Sequence, residues 1–219
     1  MKDMTITSAD VLGKTAAGTP RQRGNRTTRV PAIIEAATIV FASEGNAGFT
    51  QRRIASDAGI RLRTLQHYFG TRDELLRATI EAFTGRYLER YRMIVQDKLR
   101  SPEARLDTIV DEAFSVLTAP GGRVSAFVLE CWSLAEHEAF LHEVMAKSTG
   151  EFQDLLAGLV AKINPTLTSS ECALRAALLL SHLQGLLVYM RRAGDHIPDA
   201  DEFRSSLKVV WRALSKAPQ

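Results

Sequence analysis

From residue 29 onward, apolar side chains recur at three- and four-residue intervals, the period of one helix face, in blocks separated by Gly, Pro and capping residues. Ile33, Ala36, Ala37, Val40 and Phe41 form the first block, and the helix it predicts begins near Thr28 or Arg29 and ends at Gly45. Pro31 falls in the first turn, where its missing N–H costs no hydrogen bond. Asn46, Ala47 and Gly48 then turn the chain, and Phe49 is expected to pack beneath the helices. Thr50 is a plausible N-cap for a short helix carrying Ile54, Ala55 and Ala58. Gly59 suits the left-handed conformation that ends it, and Ile60 is expected to anchor the turn. Leu62, Leu65, Tyr68 and Phe69 give a second short stripe, stopped by Gly70. Thr71 caps the next helix, whose first turn holds Asp73 and Glu74 as the helix dipole favours.

That fourth helix is long, expected from Arg72 to about Arg100 with Leu75, Leu76, Ile80, Phe83, Tyr87, Tyr91 and Val95 inward. Ser101-Pro102 restarts the chain as a helix with Leu106, Ile109, Val110, Phe114 and Leu117 buried, and the Ala119-Pro-Gly-Gly122 run is the clearest turn. Val124 to Ala135 and Glu136 to Ile163 read as two more helices, the second ended by Asn164-Pro165. Ser169 or Ser170 caps an apolar helix from Ala173 to Arg192, Gly194 ends it, and Asp199 caps a last one from about Ala200 to Ser215. No stretch alternates as a strand. The expectation is an all-α chain of about nine helices: an N-terminal three-helix helix-turn-helix domain and a larger helical domain.

Charge adds a direction to this pattern. The chain of 219 residues carries a formal charge of +3. Between Lys14 and Arg72 there are ten basic residues against three acidic ones, so the remainder is net acidic. A basic head on a mildly acidic body is the footprint of a nucleic-acid-binding module joined to a different domain. Residues 1–28 lack an apolar period and read as a disordered basic arm, with RQRGNRTTR suited either to phosphate contact or to a solubilising tail. No run of eighteen apolar residues and no apolar leader are present, so neither a membrane span nor export is expected, and the expected location is cytoplasmic. Cys131 and Cys172 lack metal-ligand spacing, and neither a disulfide nor a cofactor is expected.

The stretch TQRRIASDAGIRLRTLQHYFGTRDELL, Thr50 to Leu76, resembles the TetR family of one-component bacterial transcriptional regulators. Thr50, Ile54, Ala55, Ala58, Gly59, Thr64, Leu65, Tyr68, Phe69, Glu74 and Leu75 match that family's pattern in register. Arg61, Arg63 and Gln66 depart from it, where the family usually has Ser, Gly and Tyr. Segments CWSLAEHEAF and ALLLSHLQGLLVYM are similar to a BetI-like ligand domain and its dimer helix. The resemblance implies a ligand-responsive regulator, a repressor that binds a palindromic double-stranded DNA operator as a homodimer and leaves it when a small-molecule inducer binds. The competing reading is a helical small-molecule-binding protein or enzyme that keeps the head as scaffold. The implied division is a helix-turn-helix domain over 29–72 and a ligand-binding and dimerisation domain over 73–219.

Within that reading the recognition helix presents Leu62, Arg63 and Thr64 to base edges, Arg63 suiting a guanine and the Leu62 or Thr64 methyl groups a thymine. Thr50, Arg52 and Arg61 complete the DNA face, Gln66, Tyr68 and Arg72 are expected on phosphates, and His67 beside the backbone. Phe83, Tyr87, Phe114, Phe127, Cys131, Trp132 and Phe140 lie at helical spacing, the pattern of a core, of which the resemblance assigns a part to an inducer pocket. The HEAFLHE run has its histidines five apart, so they fall on different helix faces and the zinc-protease arrangement fails; no metal is expected. The helix from Ala173 to Arg192 is apolar over more than one face, and Leu183, Leu186, Leu187, Met190, Val210 and Trp211 are the expected dimer seam, with Gly185 allowing close approach.

Overall fold

A computed structural model describes residues 26–218, and residues 1–25 of the arm expected over 1–28 lie outside them. Among the described residues all regular structure is helical: α1 (Arg26–Gly48), α2 (Gln51–Asp57), α3 (Leu62–Tyr68), α4 (Arg72–Gln96), α5 (Pro102–Leu117), α6 (Arg123–Ala135), α7 (Ala139–Ile163), α8 (Ser169–Arg192) and α9 (Ala200–Lys216), with a 3-10 turn at Gly194–His196. The all-α expectation stands. Capping chemistry places most of the boundaries. Thr50 accepts from the Arg53 amide, Ser101 from Ala104, and Asp199 from Asp201 and Glu202. Thr71 accepts from the Glu74 amide while Glu74 Oε2 accepts from Gly70, a reciprocal arrangement at the start of α4.

Several boundaries differ from the sequence expectation, among them the start of α7 at Ala139 where Glu136 was expected. The first helix starts at Arg26, earlier than Thr28. The long α4 stops at Gln96 because Arg105 reaches back from α5: its Nη1 donates to the Val95 carbonyl at 3.1 Å and its Nε to Arg100 at 3.0 Å, which satisfies carbonyls that a continuing helix would use. The cap of α8 is Thr168, not Ser169 or Ser170, because Glu171 completes a capping box with it.

The chain divides into two compact units, one comprising the described residues up to Arg86 with Ala126–Met145, the other Tyr87–Ser125 with Ala146 onward. The first unit therefore takes in much of α4 and most of α6, beyond the single cut near residue 72 that the sequence suggests. Its core is aromatic. Phe83 and Phe127 stack with centroids 3.8 Å apart, and Phe41 meets Phe127 at 4.8 Å and Phe49 at 5.6 Å, both edge-on. Ile33, Ile54, Leu65, Leu75 and Ile80 close around them, each at most 1% exposed.

In the second unit Leu106, Ile109, Val110, Leu159, Leu179 and Trp211 form one apolar cluster with contributions from α5, α7, α8 and α9. By length and composition alone α8 could cross a membrane, although the sequence reading expected no membrane span. In the fold, however, Cys172, Ala176, Leu179 and Leu180 bury one side of it in this cluster. Its buried Arg175 donates to the Leu214 and Ala217 carbonyls at 2.9 and 2.7 Å, capping the end of α9. An arginine so engaged commits that side of the helix to a protein interior.

Candidate nucleic-acid interface

Three short connections fix the geometry of α2 and α3. Gly45 ends the main run of α1 at φ 64°, a left-handed conformation that glycine adopts without strain. Gly59, at φ 63°, does the same between α2 and α3, and the Ile60 amide beside it donates to Ala55 at 2.9 Å. Ile60 itself is half-buried, less enclosed than an anchor was expected to be. Leu65 on the inner side of α3 is 0% exposed and packs the helix into the unit's core. The outer positions Arg63, Gln66 and His67 stand at i, i+3 and i+4 and are exposed, so they share one face. Leu62, Thr64 and Tyr68 are half-buried at its margins, and Thr50, Arg52 and Arg61 are exposed beside it.

Charge pairing separates these residues more sharply than exposure does. Arg53 is held by Glu44 at 2.9 Å and by Asp57 at 3.2 Å. Among the described residues its neighbour Arg52, and Arg61 and Arg63, make no ion pair. Three exposed guanidiniums thus surround α3 with their hydrogen-bond donors free for an acceptor from outside, the requirement for binding phosphate or a guanine edge.

Arg72 behaves differently, and its expected place on phosphates is corrected. Its Nε donates to the Phe49 carbonyl at 3.0 Å and its Nη2 to the Asn46 carbonyl at 3.2 Å and to Asn46 Oδ1. Its remaining nitrogen meets Asp73 at 3.3 Å, and the guanidinium lies 5.6 Å from the Phe49 ring centroid. With Nε and Nη2 engaged inward, Arg72 secures the loop before α2. Gln51, which the sequence did not single out, donates to the Phe69 carbonyl at 3.0 Å and accepts from Gln66 at 3.5 Å, tying the start of α2 to the C-terminal end of α3. Gln66 is therefore partly occupied within the fold.

The aromatic candidates for an inducer pocket scatter. Phe83 and Phe127 stack on each other within the first unit's core, where Cys131 is also buried. Burial and the nearby Glu130 carboxylate push the Cys131 thiol well above its usual range, so it stays protonated and inert. Phe140 lies under the Arg77 guanidinium at 5.1 Å, and Trp132 is half-buried. In the second unit Phe114 packs edge-on against Phe203 at 5.7 Å, and Tyr87 is buried. None of the seven lines the apolar cavity of about 10 Å³ bordered by Tyr91, Val95, Ile109, Phe152, Leu156 and Leu183 of the second unit. That volume holds a single water. Burial raises the Tyr91 hydroxyl beyond its ordinary range, with the Glu112 carboxylate adding to the shift, so a neutral phenol faces this region.

The expected dimer seam also needs correction. Trp211 is 0% exposed, and Leu186 and Leu187 are buried too, because all three pack within the chain; Leu183 and Met190 are half-buried. Of the six only Val210 faces out, beside Val209, while on α8 the outward side chains are Leu174, Leu178 and Tyr189. The HEAFLHE run straddles the start of α7 at Ala139, and no cluster of three metal-ligating side chains occurs among the described residues.

Family comparisons agree with this geometry. Residues 33–79 match the family described as bacterial regulatory proteins, tetR family, a span containing α2, α3 and every DNA-face candidate. Residues 102–210 match the C-terminal domain of BetI-type transcriptional repressors. The HTH-type transcriptional regulator BetI of Paraburkholderia phymatum is 30% identical over 174 residues, 78% of this chain and 86% of that protein. The chain belongs to the TetR family. It is accordingly a DNA-binding transcriptional regulator, and its family is not one of enzymes. Another TetR-family relative, the repressor KstR2 of Rhodococcus jostii, is 27% identical over 66% of this chain and 68% of its own length. The TetR fold is repeated in a regulator from Haloarcula marismortui (TM-score 0.67, 20% identity, 86% of this chain and 97% of that one). It recurs in FadR from Bacillus subtilis, solved with stearoyl-CoA (TM-score 0.67, 17% identity, 84% and 98%).

Proposed function

We propose that this TetR-family regulator is a repressor that binds a near-palindromic operator as a homodimer, with α3 in the major groove, and leaves it when a small molecule binds the second unit. The observation that carries the DNA reading is the set of three exposed arginines, Arg52, Arg61 and Arg63, left without ion pairs around α3 among the described residues. Arg63 near the N-terminus of α3 reads a guanine, Leu62 and Thr64 supply methyl contacts, and Arg52 and Arg61 meet phosphates with Thr50, Gln66 and Tyr68. His67 lies beside the backbone. The N-terminal domain binds DNA and the helical remainder supplies ligand binding and dimerisation.

The second copy joins through the outward apolar side chains of α8 and α9: Leu174, Leu178, Val209 and Val210 are 42–65% exposed. A two-fold arrangement of such a face is self-complementary and sets two reading helices for successive half-sites. The ligand site is the small cavity lined by Tyr91, Phe152 and Leu183, which must widen to admit a molecule larger than water. Its lining favours a ligand with an apolar body, as the stearoyl-CoA in complex with Bacillus subtilis FadR has. The ligand lowers operator affinity by binding the DNA-incompetent state better. Selection of duplexes from a random pool by the full chain, at low salt, tests the core of this reading. A palindromic sequence should emerge; no enrichment after repeated rounds would contradict it.

A further inference from the structure

We infer that Glu130 is a positioning residue for DNA reading, acting through the backbone of Asn46. Gly45 breaks the helical ladder of α1 at φ 64° and ψ −163°, so the next amide, that of Asn46, has lost its helical acceptor. Glu130 Oε1, from α6 and 84 residues away in sequence, accepts that amide at 2.8 Å in a partly buried setting. The bare Cα of Gly45 makes room for the carboxylate: a Cβ there would stand 3.1 Å from Glu130 Oε1. Arg72 takes two further polar groups of Asn46, its carbonyl and its side-chain oxygen, along with the Phe49 carbonyl. Asn46 is thus held by an acid from α6 and a base from α4.

The residues just beyond Asn46 build the reading head. Phe49 is fully buried, Thr50 caps α2, and Gln51 donates to Phe69 and accepts from Gln66 at the C-terminal end of α3. Holding Asn46 fixes where α2 begins, and Gln51 carries that position to α3. A head fixed in this way has less ordering left to do when it meets DNA. The electrostatics argue against an incidental contact: a carboxylate in the same compact unit as the DNA-reading helices repels phosphate, so charge alone would favour its removal. This inference rests on α3 as the reading helix.

Three full-length variants separate the hydrogen bond from the charge. Glu130→Gln removes the charge and keeps an acceptor oxygen, Glu130→Ala removes both, and Glu130→Asp keeps the charge but shortens the reach. Amide hydrogen exchange without DNA is read at Asn46, Ile60 and Leu65. Affinity is measured for a duplex selected by the wild type from a random pool and for a scrambled duplex. In Glu130→Ala and Glu130→Asp, exchange at all three amides should quicken and the selected duplex should bind about tenfold more weakly. The scrambled duplex should bind Glu130→Ala at least as well as wild type, and Glu130→Gln should stay near wild type throughout. Should Glu130→Ala fail to fold, Glu130→Asp carries the test. Equal losses in Glu130→Gln and Glu130→Ala would overturn the inference, as would unchanged exchange at Ile60 and Leu65 in Glu130→Asp. If the wild type selects no sequence, the DNA reading fails, and the exchange arm alone decides whether Glu130 positions the head.

Discussion

Two sets of basic residues in this chain look alike in sequence and have opposite fates in the fold. Around α3, Arg52, Arg61 and Arg63 make no ion pair among the described residues. Along α9, Arg204, Lys208, Arg212 and Lys216 recur every four residues, and each meets an acid of α5. Lys216 pairs with Glu103 at 3.1 Å, Arg212 Nε donates to Asp107 at 2.7 Å, and Lys208 and Arg204 reach Asp111 at 2.5 and 3.5 Å. The acids also step by four, so the two helices run antiparallel in a fixed register. The α9 ladder neutralises its own cations and holds the helix, while the α3 set leaves its charge for a partner. Net charge cannot distinguish the two cases, but pairing can.

The largest effect expected from breaking this contrast falls on the far side of α9 and α8. The ladder and the core fix which side faces in, leaving Leu174, Leu178, Val209 and Val210 outside. Leu178→Glu should give a folded monomer by sedimentation and lower operator affinity by roughly 10² or more, since a second head no longer shares the site. The same change at buried Leu187 should unfold the chain instead. Next in size, Arg63→Ala should cost about 1–3 kcal/mol on the selected duplex and relax preference at one base position, as read by binding to single-base variants. Arg61→Ala should weaken selected and scrambled duplexes alike and flatten the logarithmic salt slope by roughly one unit per head. Smallest, Lys208→Ala should lower stability by about 1 kcal/mol or less, with a loss that shrinks in high salt and no change in DNA affinity.

Much of the fold was legible because it rests on local chemistry. The Thr50, Thr71 and Asp199 caps and the Gly45 and Gly59 stops act within one turn of the chain. What escaped depends on partners distant in sequence. Arg72 reads as a DNA contact by position, and only the fold shows it held by Asn46, 26 residues earlier. Trp211 reads as a seam residue from the breadth of apolar positions on α9, yet the α5, α7 and α8 side chains enclose it. Helical spacing says that Phe83, Phe127 and Phe114 are inward; it cannot say whether inward means a stacked core or a cavity wall. The α5–α9 ladder escaped for the same reason, since its acids and bases stand about a hundred residues apart, as do Asp107 and Arg212 at a separation of 105.

Salt-titrated DNA binding by two triple variants puts the contrast to its most direct test. One replaces Arg52, Arg61 and Arg63 with Ala; the other replaces Lys208, Arg212 and Lys216, so each loses three positive charges. The account predicts that the first flattens the logarithmic salt slope by about two to three units per head and abolishes preference for the selected duplex. The second should keep both the wild-type slope and the preference. Equal flattening in the two variants would mean that binding tracks overall charge, and that the unpaired arginines around α3 are not the DNA-reading surface.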